Sequence, residues 1–599
     1  MPKLKSGKLN GAGNLATLLQ NRLQICGGIR RSAQALPFRD WLITISIIVL
    51  GLAACLPGKA VFAAATIPDA GSVLDSVQQP ENQPPAATAP GDITINQPET
   101  APPSDNPQKI RVNGFRFSGE TIVPEKELFK LIAAQTGREL TLTDLDNLAA
   151  RITQYLRRKG YPVAGAYIPA QHVKDGIVAI AVVPGKYGEI KLNNAARLDN
   201  ARLRRMSDAL KPGAIITQKS LERVLLLLND LAGVSARATL RPGQAPGTAD
   251  LCIDVADSAP VNGNINADNR GSRYTGQYRG DLGLTLNNLT RNGDGLNLGG
   301  LTSGDKLANI NCGYGIPLGA DGLRFDLNYS TVHYTLGEDF ASLDATGRAD
   351  VYHAGWRYPL IRGRTFNLYG AIGWDTKQLR DEIASAATTT PRRSDLWDIG
   401  LSGDWTGGGG ANAFGFAYYG GNLGINDAAA TATDAAGANT AGYFHKYTLD
   451  YSRRQYLGRG LELNLQFGGQ LTDKNLDSSE KFTLGGGDGL RAYPQGEAAG
   501  DEGYRLTAEV QWRIPRWSTD HRAIHMAFFS DYGYAVLNKI PWDGAANSRS
   551  LWDAGLGFIW TVTSGFYLRC DYAWKIGSES ARSDTDQAGR FWLRMAKRF

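Results

Sequence analysis

The sequence predicts a transmembrane antiparallel β-barrel of about 16 strands, preceded by two small α/β domains. Three observations support this fold class. From about residue 260 to the end, segments of alternating apolar and polar residues are separated by Gly-rich breaks. Before that point an order of β-α-α-β-β elements occurs twice, and the chain begins with the pattern of an exported protein.

Residues 1–64 have the pattern of a signal peptide with an extended front end. This segment contains eight Lys or Arg residues and one acidic residue. They lead into the short, mostly apolar run Trp41–Leu52, which small residues at Ala63–Ala65 follow. This run is shorter than the roughly 20 residues that a transmembrane helix needs. Two alternatives remain: the run is a membrane anchor, or Leu52–Cys55 is a lipoprotein cleavage site.

Charge and composition exclude several function classes. The formal net charge of +6 arises in the basic leader, so the remainder has no excess positive charge with which to bind nucleic acid. The cysteines beyond the leader have no C-x-x-C spacing, which indicates neither a zinc site nor a disulfide framework. No Gly-Lys pair is followed by Ser or Thr, so there is no P-loop. We expect no cofactor, no metal and no enzymatic activity.

Residues 65–107 connect the leader to the first domain. Their bias toward Pro, Gln, Ala and Thr predicts an extended linker that cannot bury a core. The first part of the linker, Asp69–Gln79, has Val73, Leu74 and Val77 on one side of a short helix. Because a helix of this length is marginal in isolation, we expect it to dock into another part of the protein.

Two α/β units follow, at residues 108–184 and 185–258. In the first unit, alternating apolar residues from Lys109 to Phe117 predict a strand, and Pro124 begins the first of two helices. Two further strands end the unit, and the second unit repeats the same order. This internal repeat resembles polypeptide-transport-associated (POTRA) domains, periplasmic modules that precede certain outer-membrane barrels. Two unrelated small α/β domains are the alternative.

Residues 259–599 have the period-two pattern of transmembrane strands. In Tyr504–Ile514, for example, one face is apolar and the other carries charged and polar residues. In a barrel, the apolar face contacts lipid on the outside and the polar face contacts water in the lumen. At roughly 20 residues per strand and connection, the segment has room for about 16 strands. The chain ends on the aromatic residue Phe599, and the register places Cys570 toward lipid, which argues against a disulfide there.

A Gly-rich loop, Gly485–Gly503, precedes one of these strands and contains a single cation, Arg491. In the strand after that one, Phe529, Asp531 and Gly533 share the lumen-facing parity. If the loop folds back into the barrel, Arg491 and Asp531 can form an ion pair. If it does not, both are solvated lumen charges that contribute little to stability.

The whole architecture resembles the outer-membrane transporters of two-partner secretion, the hemolysin-activator family within the barrel-assembly superfamily. In that family the Arg of a V-R-G-[FYW] motif, on the loop before the twelfth strand, pairs with the Asp of an F-x-D-x-G motif on the thirteenth. The matching residues here are Leu490, Arg491, Ala492 and Tyr493 for the first motif, and Phe529, Asp531 and Gly533 for the second. Ala492 replaces the usual Gly and would be strained if the loop tip needed a positive φ there.

The resemblance also implies a function. The protein would export one large partner exoprotein, a hemolysin or filamentous adhesin, which its periplasmic POTRA domains bind unfolded by adding strands to their sheet edges. The helix with Val73, Leu74 and Val77 would plug the empty pore. Barrel-assembly machinery would insert the protein into outer-membrane lipid as a monomer, with Phe599 as the C-terminal strand signal. The alternatives are an outer-membrane insertase, which usually has more POTRA domains, and a passive porin.

Overall fold

The computed structural model describes residues 67–78, 93–96, 108–120 and 122–599. The predicted signal peptide and its two alternatives lie outside these residues. Within the described part of the chain, no helix is both long enough and apolar enough to cross a bilayer.

The segment ahead of the first domain contains a helix and a short strand. Helix α1 (Ala70–Gln78) agrees with the predicted helix. Strand β1 (Ile93–Ile95) is an unpredicted element that pairs in parallel with β8 (Val234–Pro242) of the second α/β domain. Ile93 and Ile95 pack against that domain's core, so this part of the predicted linker adds to the core of a neighbouring domain and forms none of its own. The exposed backbone groups of an edge strand provide the pairing partner that such a short segment needs.

The first α/β domain has a three-stranded sheet with two helices packed on a shared core. Hydrogen bonds from the backbone N–H and hydroxyl of Thr141 to the Asp144 carboxylate begin its long helix. These bonds hold the pKa of Asp144 below its ordinary value. The elements are β2 (Ile110–Arg111), β3 (Gly114–Gly119), α2 (Glu125–Ile132), β4 (Glu139–Leu140), α3 (Leu142–Arg158), β5 (Gly165–Tyr167) and β6 (Ile177–Val183).

The second α/β domain repeats the order of strand, two helices and two strands. Besides β8, its elements are β7 (Lys186–Asn194), α4 (Asn200–Ser207), α5 (Gln218–Asn229) and β9 (Thr248–Asp257). The sheet has the order β1, β8, β9, β7, so the linker strand covers the edge that β8 would otherwise expose.

Residues 259–599 form a closed antiparallel barrel of sixteen strands, which confirms the predicted fold class. The first and last strands close it over five residue pairs, and the backbone of Phe599 exchanges two 2.9 Å hydrogen bonds with Gly263. A short helix, α6 (Ala428–Ala436), lies in one connection. The strands are β10 (Val261–Asp268), β11 (Arg279–Asn287), β12 (Gly295–Thr302), β13 (Leu307–Leu318), β14 (Leu323–Thr335), β15 (Ala345–Arg362), β16 (Phe366–Ile383), β17 (Thr388–Gly407), β18 (Gly410–Ile425), β19 (Gly442–Gly458), β20 (Leu461–Thr472), β21 (Glu502–Arg513), β22 (Arg522–Val536), β23 (Ser548–Val562), β24 (Phe566–Lys575) and β25 (Gly589–Arg598).

The second α/β domain packs against the short turns at the end of the barrel where β10 begins. The guanidinium of Arg362, at the end of β15, donates hydrogen bonds of 2.8 and 2.7 Å to the Asp230 carboxylate next to α5. Arg223 of α5 donates to the carbonyl of Pro359 at 3.3 Å. A bidentate Arg–carboxylate pair fixes relative orientation as well as distance, so this domain is held in register with the barrel.

Candidate functional site

The lumen of the barrel contains the connection between β20 and β21, residues 473–501, which we call the inner loop. Its apolar side chains are buried against lumen-facing residues of β22 and β23 rather than exposed to solvent. Leu484, Leu490 and Tyr493 form one cluster with Phe529 and Leu551. The Gly-rich loop identified in the sequence therefore folds back into the barrel.

Arg491, near the middle of the inner loop, makes the ion pair that the sequence predicts. Its Nε and Nη2 atoms donate to the two carboxylate oxygens of Asp531 at 2.8 and 3.0 Å. Its Nη1 atom donates to Glu509 at 2.8 Å, and the guanidinium carbon lies 3.2 Å from the centre of the Phe529 ring. Because Arg491 and Asp531 are both buried, their contact belongs to a desolvated network and not to a solvated lumen surface.

The network around Arg491 extends over further charged residues that the sequence analysis did not single out. Arg569 donates to Glu509 at 2.6 Å and to Asp571 at 2.7 Å, and Asp571 also lies 3.8 Å from Arg491. Asp553 accepts a hydrogen bond from the backbone of the loop itself. The alternation in β21 does place Glu509 on the lumen side, but the cross-strand register that brings these groups together has no local sequence signal.

The residues beside Arg491 explain the rest of the two motifs. The backbone N–H of Ala492 donates to Asp553 at 2.9 Å, and its φ is not positive, so the expected strain at this position is absent. Leu490 and Tyr493 are buried in the cluster described above. At Gly533 a Cβ atom would lie 3.0 Å from side-chain carbons of both Leu484 and Leu490, so a larger residue there would push these leucines by a few tenths of an ångström.

Glu497 provides a second attachment of the inner loop to the same wall. Its fully buried carboxylate accepts a 2.9 Å hydrogen bond from Arg549 of β23. It also accepts from the backbone N–H groups of Arg582 and Ser583, in the connection between β24 and β25. The loop is thus held to β21–β25 by two charge-assisted networks, which are stronger than neutral hydrogen bonds.

Helix α1 lies against the opposite part of the wall, inside the barrel. Val73 and Leu74 are buried among lumen-facing residues of β14 and β15, such as Val332 and Ala349, and Val77 is partly buried there. The predicted apolar side of this helix is therefore the side that docks. The carbonyl of Ser76 accepts a hydrogen bond from Arg279 of β11 at 3.3 Å, so the helix also contacts a distant strand.

Arg392 of β17 connects α1, the inner loop and the barrel wall. One of its terminal nitrogens donates to Asp69, just before α1, at 2.8 Å and to Asp381 of β16 at 2.7 Å. The other donates to Asp477 of the inner loop. Ser478 of the loop donates directly to Asp69 at 2.6 Å. The helix and the loop therefore share one guanidinium on the wall.

The inner loop is also attached at its start. The buried carboxylate of Glu480 accepts from Lys377 of β16 at 2.7 Å and from Lys446 of β19 at 2.8 Å. Together with Arg491 and Arg392, these lysines hold helix and loop inside the barrel through charged contacts.

Two models of known protein families match parts of this chain. A family model described as haemolysin secretion/activation protein ShlB/FhaC/HecB matches residues 247–558. The chain belongs to this family. A second model, described as POTRA domain, ShlB-type, matches residues 110–185, the first α/β domain. The protein is a two-partner secretion transporter of the outer membrane, and its POTRA domains lie in the periplasm.

Individual relatives agree with this family. The chain is 29% identical over 544 residues to the heme/hemopexin transporter protein HuxB of Haemophilus influenzae (strain 86-028NP), an alignment that covers 89% of this chain and 95% of the relative. It is 22% identical over 453 residues to the outer membrane transporter CdiB of Dickeya dadantii (strain 3937), over 74% and 79% of the two chains. The solved structure of CdiB from Escherichia coli has the same fold, with a TM-score of 0.66 at 19% identity, over 84% and 93% of the chains.

Proposed function

We propose that this transporter exports one large partner exoprotein, a hemolysin or filamentous adhesin, through its barrel after α1 and the inner loop move. The observation that carries the proposal is the content of the lumen. Helix α1 and the inner loop occupy it, and both are held through Arg392 by charged contacts that can exchange. A pore meant for passive solutes has no need of such a removable filling.

The POTRA domains supply the sheet edges at which an unfolded client binds. Backbone pairing at a sheet edge recognises extended chains of any sequence, which suits a client that must arrive unfolded. In the second domain β1 covers β8, so β7 at the other side of the sheet is the edge left for a client. In the first domain β3 and β5 are the outer strands.

We further propose that the protein has no catalytic activity and that folding of the client outside the cell gives export its direction. Among the described residues, no group of His, Cys, Asp or Glu side chains is arranged to hold a metal ion. The charged lumen residues already bind one another in the networks described above, which accounts for their burial without a reaction.

One observation favours a different cargo class. The relative with 29% identity over most of the chain is named a heme/hemopexin transporter. A partner exoprotein that handles heme or hemopexin is therefore a second candidate beside a hemolysin or adhesin, with the same export mechanism.

The test is deletion of the gene in its native host, followed by mass spectrometry of the culture supernatant and of the outer membrane. We expect one large exoprotein to disappear from the supernatant and to return on complementation, while the set of outer-membrane barrels stays unchanged. Depletion of many barrels, or lethality, would instead identify an insertase. An unchanged supernatant with slower uptake of small solutes would identify a porin.

A further inference from the structure

The outer face of β14–β16 carries a row of basic side chains near one rim of the barrel. His333, Arg348 and Arg380 stand directly opposite one another across the three strands. Their sequence neighbours Ala349 and Leu379 belong to the lumen cluster that holds α1, so the basic row faces away from the lumen. Adjacent strands are about 4.8 Å apart, which lets a single anion contact two of these side chains at once.

The position of the row relative to the membrane follows from the residues along the same strands. Toward the periplasm, the outward-facing positions become aromatic, and Tyr352, Trp356 and Trp374 are exposed on the barrel surface. Arg348 precedes Tyr352 by four residues, or about 13 Å of strand. The POTRA domains mark the opposite end of the barrel as periplasmic. The basic row therefore lies above the lipid-facing band, at the level of the outer-leaflet headgroups.

A groove of about 440 Å³ runs along this row, and Lys306, whose ammonium donates to Glu338 at 3.2 Å, also lines it. Acidic side chains also line it, namely Asp305 and Glu382. The side chain of Arg380 is 63% exposed, and its carboxylate contact with Glu382 is long, at 3.8 Å. Thus the groove combines clustered cations with space for a ligand of sugar size.

Arg348 keeps hydrogen-bonding capacity toward the groove. Its Nε and Nη2 atoms donate to Asp350 at 2.6 and 2.8 Å, and Asp350 lies one outward-facing position nearer the aromatic band. The side chain is still 49% exposed, and a guanidinium has five N–H donors. The carboxylate orients Arg348 rather than saturating it, so that its outer edge remains available to an anion.

We propose that this groove binds the phosphate groups of a phosphorylated glycolipid of the outer leaflet. Arginine pairs with phosphate through paired N–H donors, and the acyl chains of such a lipid would lie along the aromatic band below. The site is independent of the export function proposed above. The strands that would bind the lipid on the outside of the barrel also contact α1 on the inside. Lipid binding and helix docking would therefore involve the same part of the wall.

The test measures glycolipid binding to the purified full chain in detergent micelles by native mass spectrometry. The probe is a bisphosphorylated, acylated glucosamine disaccharide, compared with its dephosphorylated form and with inorganic phosphate. The variants are Arg380→Gln and the double variant Arg348→Gln with Arg380→Gln. The control is Arg522→Gln, an exposed arginine on the outer face of β22 at the periplasmic rim.

We expect the double variant to bind the phosphorylated glycolipid at least about tenfold more weakly than the wild type, because it loses two charge-assisted contacts. Arg380→Gln alone should weaken binding about threefold, and Arg522→Gln should leave it unchanged. A heat-modifiable band on electrophoresis shows whether each barrel is folded. If the double variant does not fold, the threefold weaker binding expected of Arg380→Gln is the test.

Three results would overturn the proposal. Wild-type binding by the variants would exclude these arginines, and equal losses in Arg522→Gln would indicate general attraction to the micelle. Equal binding of the dephosphorylated glycolipid would exclude phosphate recognition. Displacement by inorganic phosphate at the same concentration as the glycolipid would assign the groove to a free anion instead of a lipid.

Discussion

On each side of the lumen one arginine is at the centre of the charged contacts, but the two arginines join different elements. Arg491 belongs to the inner loop, and its carboxylate partners Asp531 and Glu509 lie on the barrel wall. Arg392 belongs to the wall, and its three carboxylate partners lie just before the helix, in the loop and on a neighbouring strand. The first arrangement attaches one element to a rigid surface. The second joins the helix and the loop to the same side chain of the wall.

The difference indicates which element leaves the lumen more easily. Around Arg491 the charged contacts are reinforced by a buried apolar cluster and by the Phe529 ring. Helix α1 has nine residues, and the apolar side chains that it buries include Val73 and Leu74, each contributing about 1.5–3 kcal/mol. Ordering a nine-residue segment opposes that gain. We therefore expect α1 to be released before the Arg491 side of the inner loop.

The largest effect should come from Arg491→Ala. Removing one partner of a buried ion pair costs about 3–5 kcal/mol, because Asp531 and Glu509 stay buried without their cation. At 1.4 kcal/mol per tenfold, this shifts docking of the loop by about a hundredfold or more. We expect secretion of the partner to fall at least tenfold, as measured in the supernatant, while the barrel still inserts. Asp531→Ala should act in the same way.

Arg522→Ala serves as the control for these two variants, because it removes an arginine from the outer face of the barrel. Secretion at wild-type levels in both Arg491→Ala and Asp531→Ala would contradict the attachment role. The pair would then behave as the solvated lumen charges that the sequence alone left open.

An intermediate effect should come from Arg392→Ala, which removes the group shared by α1 and the inner loop. We expect a helix that docks less firmly, and hence a several-fold increase in single-channel conductance and in sensitivity to large antibiotics, with the barrel intact. Arg393→Ala is a matched control, since Arg393 is the next residue and pairs with Asp395 on the outer face. Equal conductance in the two variants would show that Arg392 does not hold the helix.

The smallest effect should come from restoring the glycine that the family usually has, in Ala492→Gly. The backbone at this residue is not in the left-handed region, so glycine relieves no strain and costs at most about 1 kcal/mol through the unfolded chain. Thermal unfolding of the purified barrel should shift little, and secretion should be unchanged.

Ala492→Val provides the contrast to this variant. Ala492 is fully buried, so the added methyl groups overpack the loop by about 1–3 kcal/mol and should lower secretion. A clear gain in stability from Ala492→Gly would mean that the loop tip adopts a positive φ after all.

Much of this architecture could be predicted from the sequence because it depends on local patterns. Period-two alternation identified the barrel strands, and helical spacing identified the buried side of α1. The contact between Arg491 and Asp531 was reached through a resemblance to a family motif, since spacing alone left solvated charges as an alternative. The family motifs identified Arg491 and Asp531 in the sequence. They did not identify Glu509 and Arg569, because the place of these residues in the network depends on the strand register that the turns set.

The features that could not be predicted depend on contacts between residues that are far apart in the sequence. Strand β1 has three residues in a Pro-rich segment, and its partner β8 begins far along the chain. In the sequence nothing distinguishes Arg392 from other lumen cations, because only the folded chain brings Asp69 and Asp477 next to it. Neither feature has a local signal, because each exists through a tertiary contact alone.

Strand β1 also acts as a tether for the helix that precedes it. The chain between Gln78 and Ile93 reaches at most about 50 Å when fully extended, at about 3.5 Å per residue. While β1 stays paired with β8, a released α1 therefore remains within that radius of the second POTRA domain. A short tether of this kind gives an effective concentration in the millimolar range. If α1 leaves the lumen during export as proposed, it can return after each exported chain, so that one molecule both opens and reseals the membrane.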